Sequence, residues 1–312
     1  KVIPMDIDKP FHEIFQELLL QQTTINPYIF ENSKKYEIIE KGYTVISNLI
    51  EIEIIDKASQ SIDDILCNSG KLKLEMDSEK SPSYNPCKHP DLLALFYSTP
   101  LFFAVQSLLH NVNLSTKQEV TKYYKHPNSH DVPFARAYGC QIAYRFPDSP
   151  TAVPFDKKEL EELYKDKWHL DGDDNNHHFS LLVGVALSDQ LSDFGGNFRV
   201  VPGSHKFTAE FLKRRYKSFE NQQQLNKIER KAAKKQRKKQ LLNIVNGIDK
   251  AEFLKLRKGD VVFAVHKLIH SGGINFTENV RKMVFFRAKH WDFDNIIDET
   301  FNDIWADFDG LK

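Results

Sequence analysis

The sequence predicts a mainly β fold: a double-stranded jelly roll of two sheets, with helices covering its outer face. Three observations predict it. Short apolar runs with strand-like alternation crowd the second half of the chain, from Ala135 onward. Glycine pairs, Gly195-Gly196 and Gly272-Gly273, punctuate those runs as turns. Helical spacing of apolar residues is confined mostly to the stretch before residue 110 and to a basic segment near 206–250.

With 312 residues and 41% hydrophobic content, the chain can bury a full core and reads as one large domain with decorations. Its divisions are an N-terminal helical extension (1–35), the jelly-roll domain (36–290) and a C-terminal segment (291–312). Forty-three basic residues balance forty-three acidic ones, so the global charge implies no polyanionic partner. Cys67, Cys87 and Cys140 are too few and too scattered for a disulfide framework or a zinc cluster, which suits a reducing, cytoplasmic compartment. No apolar run approaches the length of a membrane span. The chain begins at Lys1, which leaves room for a removed leader.

In chain order, Phe11–Leu20 has helical spacing and predicts a packing helix, with His12 on its surface. A helix from Tyr36, a strand over Gly42–Ile46 and a helix over Ile52–Leu66 follow. Pro82, Pro86 and Pro90 mark 68–90 as a loop, and Asp91–His110 as an amphipathic helix broken at Pro100. His89, His110, His126 and His130 sit in or beside loops and are expected to face solvent. Ala135–Phe146 reads as a strand with Ala137, Gly139, Gln141, Ala143 and Arg145 on one face. Those small residues either leave room for a ligand beside Gln141 and Arg145 or lie under a helix. The polar cluster 173–178 reads as a lip at the mouth of a pocket, because adjacent His177 and His178 point to opposite faces. Strands over Phe179–Ser188 and Asn197–Val201 come next. Ser204-His205 reads as part of a structural turn, with no third group to make a nucleophile and base of it.

The chemistry gathers at Trp168-His169-Leu170-Asp171-Gly172. On an extended strand, side chains two apart leave the same face, so His169 and Asp171 point into one space. A further histidine completes two nitrogens and one oxygen, the facial triad suited to non-haem Fe(II). His266 and His270, four apart, would share a face of the same strand, and both are candidates. The run 259–275 and the run 280–286 read as two antiparallel strands joined by a longer loop, which would bring Arg281 beside His270. An arginine there can grip the far carboxylate of a small metal-bound dicarboxylate in a bidentate fork.

His169-x-Asp171, then Gly196-Asn-Phe-Arg-Val-Val-Pro-Gly-Ser-His205, then His270 and Arg281 eleven residues apart, together resemble the phytanoyl-CoA dioxygenase-like 2-oxoglutarate/Fe(II) oxygenases. The resemblance runs from about Tyr36 to His290, apart from 206–250. It implies a cupin-like double-stranded β-helix, with His169, Asp171 and His270 as catalytic iron ligands. It also implies Arg281 on the C5 carboxylate of 2-oxoglutarate, with Ser271 and Gln141 as further co-substrate contacts. The spacing to the arginine favours His270 over His266. Fe(II), 2-oxoglutarate and O2 are the implied cofactors, and hydroxylation of a small molecule with release of succinate and CO2 the implied reaction. Asp171 occupies the position a halide would need, which favours hydroxylation over halogenation. Two other classes remain: a cupin-like isomerase or hydrolase, and a non-catalytic binding module using the basic insertion.

That insertion holds thirteen lysines and arginines against three glutamates between 206 and 240. Nucleic acid is a possible partner for it. A solvated helix is the favoured reading, because its aromatics lie upstream of the densest charge.

Overall fold

The computed structural model describes residues 28, 30–68, 89–110, 135, 137, 139–147, 168–171, 178–223, 226–247 and 251–312. The Phe11–Leu20 helix, His126, His130, His177 and Cys87 lie outside those residues.

Helix α1 (Asn32–Lys41) leads through Gly42 into strand β1 (Tyr43–Ile46), and α2 (Ile52–Asn68) follows. The apolar stretch after His89 forms two helices, α3 (Pro90–Tyr97) and α4 (Pro100–Leu109). The break falls where Pro100 requires it, since a proline ring disfavours helical backbone in the residue before it. Thr99 caps α4 by accepting a hydrogen bond from the Leu101 N–H. Among the described residues no single helix is long and apolar enough to cross a membrane. The apolar residues of α3 and α4 pack in the interior.

Among the described residues eight strands form two antiparallel sheets. The larger, in the order β1, β6 (Val261–Val265), β3 (Leu181–Ala186), β8 (Arg281–Ala288), β2 (Cys140–Arg145), has β3 and β6 buried along their whole length. The smaller runs β5 (Glu252–Phe253), β4 (Phe198–Val200), β7 (His270–Gly272). Antiparallel sheets with flanking helices are therefore what the strand pattern builds.

Strand β8 organises the packing because its side chains alternate between two layers. Phe286 faces outward and meets Phe96 of α3 at 5.1 Å between ring centroids. Phe285 faces inward and meets Phe198 of the small sheet at 5.2 Å. Lys282, on the outward face, reaches Asp63 of α2.

One expected pairing is overturned. The runs around His270 and Arg281 are not two strands of one hairpin: β7 pairs with β4 in the small sheet, and β8 pairs with β2 and β3 in the large one. Residues 273–280 are a passage between sheets. Turn-forming residues between two apolar runs look alike in either case, so local sequence does not distinguish them.

The basic stretch folds as α5 (His205–Gln223) and α6 (Lys227–Gly247). Leu212 and Leu241 anchor the two helices in a small apolar cluster with Trp168, Leu170, Val201, Ile269 and Phe301. Lys235 and Lys239 are exposed. The C-terminal residues carry α7 (Phe293–Thr300), with Phe293, Phe301 and Phe308 buried.

Because Phe286 is fully buried between sheet and helix, Phe286→Ala should destabilise the protein by about 3–5 kcal/mol. Urea denaturation should show a lower midpoint at an unchanged slope. A midpoint equal to wild type would mean the β8–α3 contact is not part of the core.

Candidate metal centre

The site begins with two backbone hydrogen bonds. The His169 N–H donates to the His270 carbonyl at 3.0 Å, and the His270 N–H donates to the His169 carbonyl at 3.1 Å. In such an antiparallel pair the two side chains stand side by side on one face. The imidazole centroids are accordingly 4.5 Å apart.

Around this bridge the expected alternation holds, although Trp168–Asp171 is not a strand. It is an isolated bridge at His169 followed by a turn at Asp171. Trp168 and Leu170 enter the apolar cluster, and His169 and Asp171 point away from it. On the partner segment Ile269 enters the same cluster and His270 does not. The Ile269 N–H donates to Ser204 Oγ at 2.9 Å, and its carbonyl accepts from Val201. Ser204 is therefore structural, as expected, and it holds the segment that carries His270.

Asp171 Oδ1 lies 3.8 Å from His169 Nε2 and 3.7 Å from His270 Nε2. These three residues place their ligand atoms within 4.8 Å of one another. His270 Nδ1 lies 3.0 Å from the Leu268 carbonyl, which can only accept, so Nδ1 carries the proton and Nε2 presents its lone pair. Burial and the neighbouring His169 depress His270 to about 4, so the ring is neutral near pH 7. Asp171 is buried, which would raise its carboxyl, but Arg287 and the facing histidines hold it at about 2. Two imidazole nitrogens and one ionised oxygen on one side of a partly open site fit a divalent first-row metal. His169, half-exposed at 49%, forms the open side.

Sequence reasoning missed the group that holds Asp171. Arg287 donates from Nε to Asp171 Oδ2 at 3.0 Å, with its Nη2 at 2.8 Å from the same oxygen. Its Nη2 also donates to Gln141 Oε1 at 2.8 Å. One carboxylate oxygen is thus taken and the other is left for the histidine side. Gln141 stands in this clamp. A signal was present: Arg287 is six residues beyond Arg281, so on a strand both project from the same face.

His266 does not join the three. Strand β6 ends at Val265, and His266 Nε2 contacts the Asp171 carbonyl at 2.8 Å. The ring packs against His178 and Phe179. His178 is itself buried, against Tyr216 and Phe301 as well as His266, so it is no part of an exposed lip.

Arg281, 2% exposed, lies on the inward face of β8. Its Nε donates to the Gly196 carbonyl at 2.7 Å and its Nη1 to the Ala143 carbonyl at 3.0 Å. Burial, and then the neighbouring Arg145, lower its pKa. Ser271 is fully buried, and its hydroxyl has no hydrogen-bond partner among the described residues.

A second grouping arises at the end of α4, where His110 was expected to face solvent. It is 9% exposed and stacks on His290 at 4.3 Å between centroids, with Asp309 alongside. Its hydrogen bonding argues against a metal. The Asp292 N–H donates to His290 Nδ1, so in the neutral ring Nε2 keeps its proton and faces Asp309 Oδ2 at 3.5 Å. This contact, longer than an ordinary hydrogen bond, sets Asp309 of the C-terminal residues beside the core.

Residues 38–283 match the phytanoyl-CoA dioxygenase (PhyH) family. No curated protein sequence matches the chain significantly. Solved structures similar to it include HygX from Streptomyces hygroscopicus with nickel and 2-oxoglutarate bound, at 15% identity and a TM-score of 0.46, covering 84% of this chain and 88% of that one. EctD from S. alaskensis with 2-oxoglutarate and 5-hydroxyectoine is 12% identical at a TM-score of 0.48, covering 87% of this chain and 80% of that one. SnoK, a non-haem α-ketoglutarate-dependent carbocyclase from nogalamycin biosynthesis, is 14% identical at a TM-score of 0.44, over 85% of this chain and 88% of that one.

Arg287→Ala removes both contacts to Asp171 Oδ2 and should cost about 1–3 kcal/mol in the metal-free protein at pH 7. Asp171's folded pKa lies below its unfolded value of about 3.9, so its contribution is complete above that pH and is lost as pH falls through about 2. The stability difference between wild type and variant should therefore shrink from pH 7 to pH 3. Equal differences at both would show that the Asp171 carboxylate is not the partner that matters.

Proposed function

The chain belongs to the phytanoyl-CoA dioxygenase family, and from that premise we propose that it is a non-haem Fe(II)- and 2-oxoglutarate-dependent oxygenase that hydroxylates a small molecule. The observation that carries this reading is a three-donor metal face with a buried guanidinium nearby in the same inter-sheet space. We take the two sheets as the two halves of a double-stranded jelly roll, with the site between them.

In this reading His169 Nε2, His270 Nε2 and Asp171 Oδ1 hold the iron. The Leu268 carbonyl fixes the His270 ring, and Arg287 occupies the second Asp171 oxygen so that only one is offered. Arg281 takes the C5 carboxylate of 2-oxoglutarate. Ser271, expected to share that carboxylate, lies opposite Arg199 on the other face of β7 and takes no part in this grip. When bound, iron with 2-oxoglutarate and O2 supplies the oxidising power for hydroxylation, and succinate and CO2 leave. The protein's own part is to orient Asp171 and the co-substrate, keep His270 neutral and exclude water from the closed end.

Iron titration and succinate release across a panel of small molecules test this. His169→Ala, Asp171→Ala and His270→Ala should each lose Fe(II) binding and 2-oxoglutarate turnover while keeping the fold. His266→Ala should keep much of its turnover. One iron per chain retained in the first three would exclude the assigned ligands. Turnover without O2 or 2-oxoglutarate would point to a cupin-like isomerase or hydrolase.

A further inference from the structure

A buried guanidinium costs free energy unless something anionic or strongly accepting meets it. Here two stand together, Arg281 buried and Arg145 half-buried beside it. Arg145 of β2 and Arg281 of β8 are directly opposite in the antiparallel register, so both project from the same face. Arg281 spends Nε and Nη1 on backbone carbonyls, and Arg145 spends Nη1 on the Tyr144 carbonyl at 3.0 Å. Among the described residues no carboxylate pairs with either. Burial lowers the pKa of each, and among the described residues no acidic neighbour offsets it.

The small sheet is shaped around this pair. A Cβ on Gly196, whose φ is +73°, would stand 3.0 Å from Arg145 Cβ and 3.2 Å from Arg281 Cβ. A Cβ on Gly272 would stand 2.6 Å from Arg145 Nη2. Gly272 and His270, two apart on β7, share the face turned to the large sheet. The Arg145 guanidinium therefore lies against the face of β7 that carries His270.

We infer that Arg145 is a second cation of the co-substrate site, which closes with Arg281 on the distal carboxylate and makes the site selective for a dicarboxylate. This rests on 2-oxoglutarate being the acid bound. Two forks match the two oxygens of one planar carboxylate. An oxo acid that ends in a methyl group would leave both cations unpaired and desolvated, so the site rejects it.

Calorimetric titration of the Fe(II)-loaded protein under nitrogen, with 2-oxoglutarate and with 2-oxopentanoate, tests the inference without turnover. The second ligand has the same chain length and lacks the distal carboxylate. Wild type should bind 2-oxoglutarate at least about tenfold more tightly. Arg145→Gln should weaken 2-oxoglutarate by roughly ten- to hundredfold, the worth of one charge-assisted hydrogen bond, and leave 2-oxopentanoate unchanged. Arg145→Lys should recover part of the loss. Gly272→Ala, which displaces the guanidinium without removing its charge, should move affinity in the same direction. It carries the test if Arg145→Gln does not fold. Unchanged 2-oxoglutarate affinity in these variants, with Arg281→Gln weakened, overturns the role of Arg145 and leaves the oxygenase reading standing. Equal losses for both ligands overturn it too, since they mean general damage. A wild-type protein that binds no 2-oxoglutarate overturns the oxygenase reading itself, and this inference with it.

Discussion

The reciprocal backbone hydrogen bonds between His169 and His270 are the constraint on which the site depends. Neither segment is a long strand: His169 sits in an isolated bridge, and β7 has three residues. Two hydrogen bonds between directly opposed residues nevertheless fix the relative position of two imidazoles a hundred residues apart in sequence. The apolar cluster sets which way they point. Trp168, Leu170 and Ile269 are drawn into it together with Leu212 and Leu241 of the basic helices. Burying them on one side leaves His169, Asp171 and His270 on the other. The helices α5 and α6, whatever else they do, brace the metal face from behind.

Charge in the pocket is arranged in two unlike ways. Asp171 and Arg287 neutralise one another, so the metal face is stable before any ligand arrives. Arg145 and Arg281 have no such partner among the described residues, and the fold bears the cost of withdrawing Arg281 wholly and Arg145 partly from water. An anion that binds there offsets that cost, so ligand affinity and folded-state stability are linked through the same two side chains. Functional sites commonly hold unfavourable interactions of this kind, which a merely stable protein would lose.

Much of this was legible in the sequence because it depends on spacing. His169 and Asp171 share a face because side chains alternate, and that argument survives the absence of a true strand. Pro100 marked the break between α3 and α4, and Ser204 was readable as structural from the lack of a third group. What could not be read depends on which sheet a run joins. The stretch 259–286 has hairpin-like punctuation, yet β7 and β8 enter different sheets, so Arg281 and His270 face one another across the fold instead of lying on adjacent strands. His178 and His110 were placed at the surface on polarity alone, and tertiary neighbours bury both. Arg287 was within reach of the same period-two reasoning as Arg281. Its partner, Asp171, comes from a distant loop that only the folded chain brings near.

The inward face of β2 and β8 also explains why the site has a direction. In register, Gln141 lies opposite Phe285, Ala143 opposite Met283 and Arg145 opposite Arg281. Gln141 belongs to the Arg287–Asp171 clamp, and Arg145 to the cationic pair. Four residues of strand separate them, a backbone distance of about 13 Å, which two converging side chains shorten to the scale of a small diacid. Ala143, with no more than a methyl group, lies between the two ends. A larger residue at that position would fill the space that the converging side chains leave. One end of the face thus offers the Asp171 carboxylate of the candidate metal centre, already held by Arg287, and the other two cations with no acidic partner among the described residues. An acid with a chelating head and an anionic tail fits that polarity in one orientation. In the reverse orientation its tail would meet Asp171, and its head would leave the arginines unpaired.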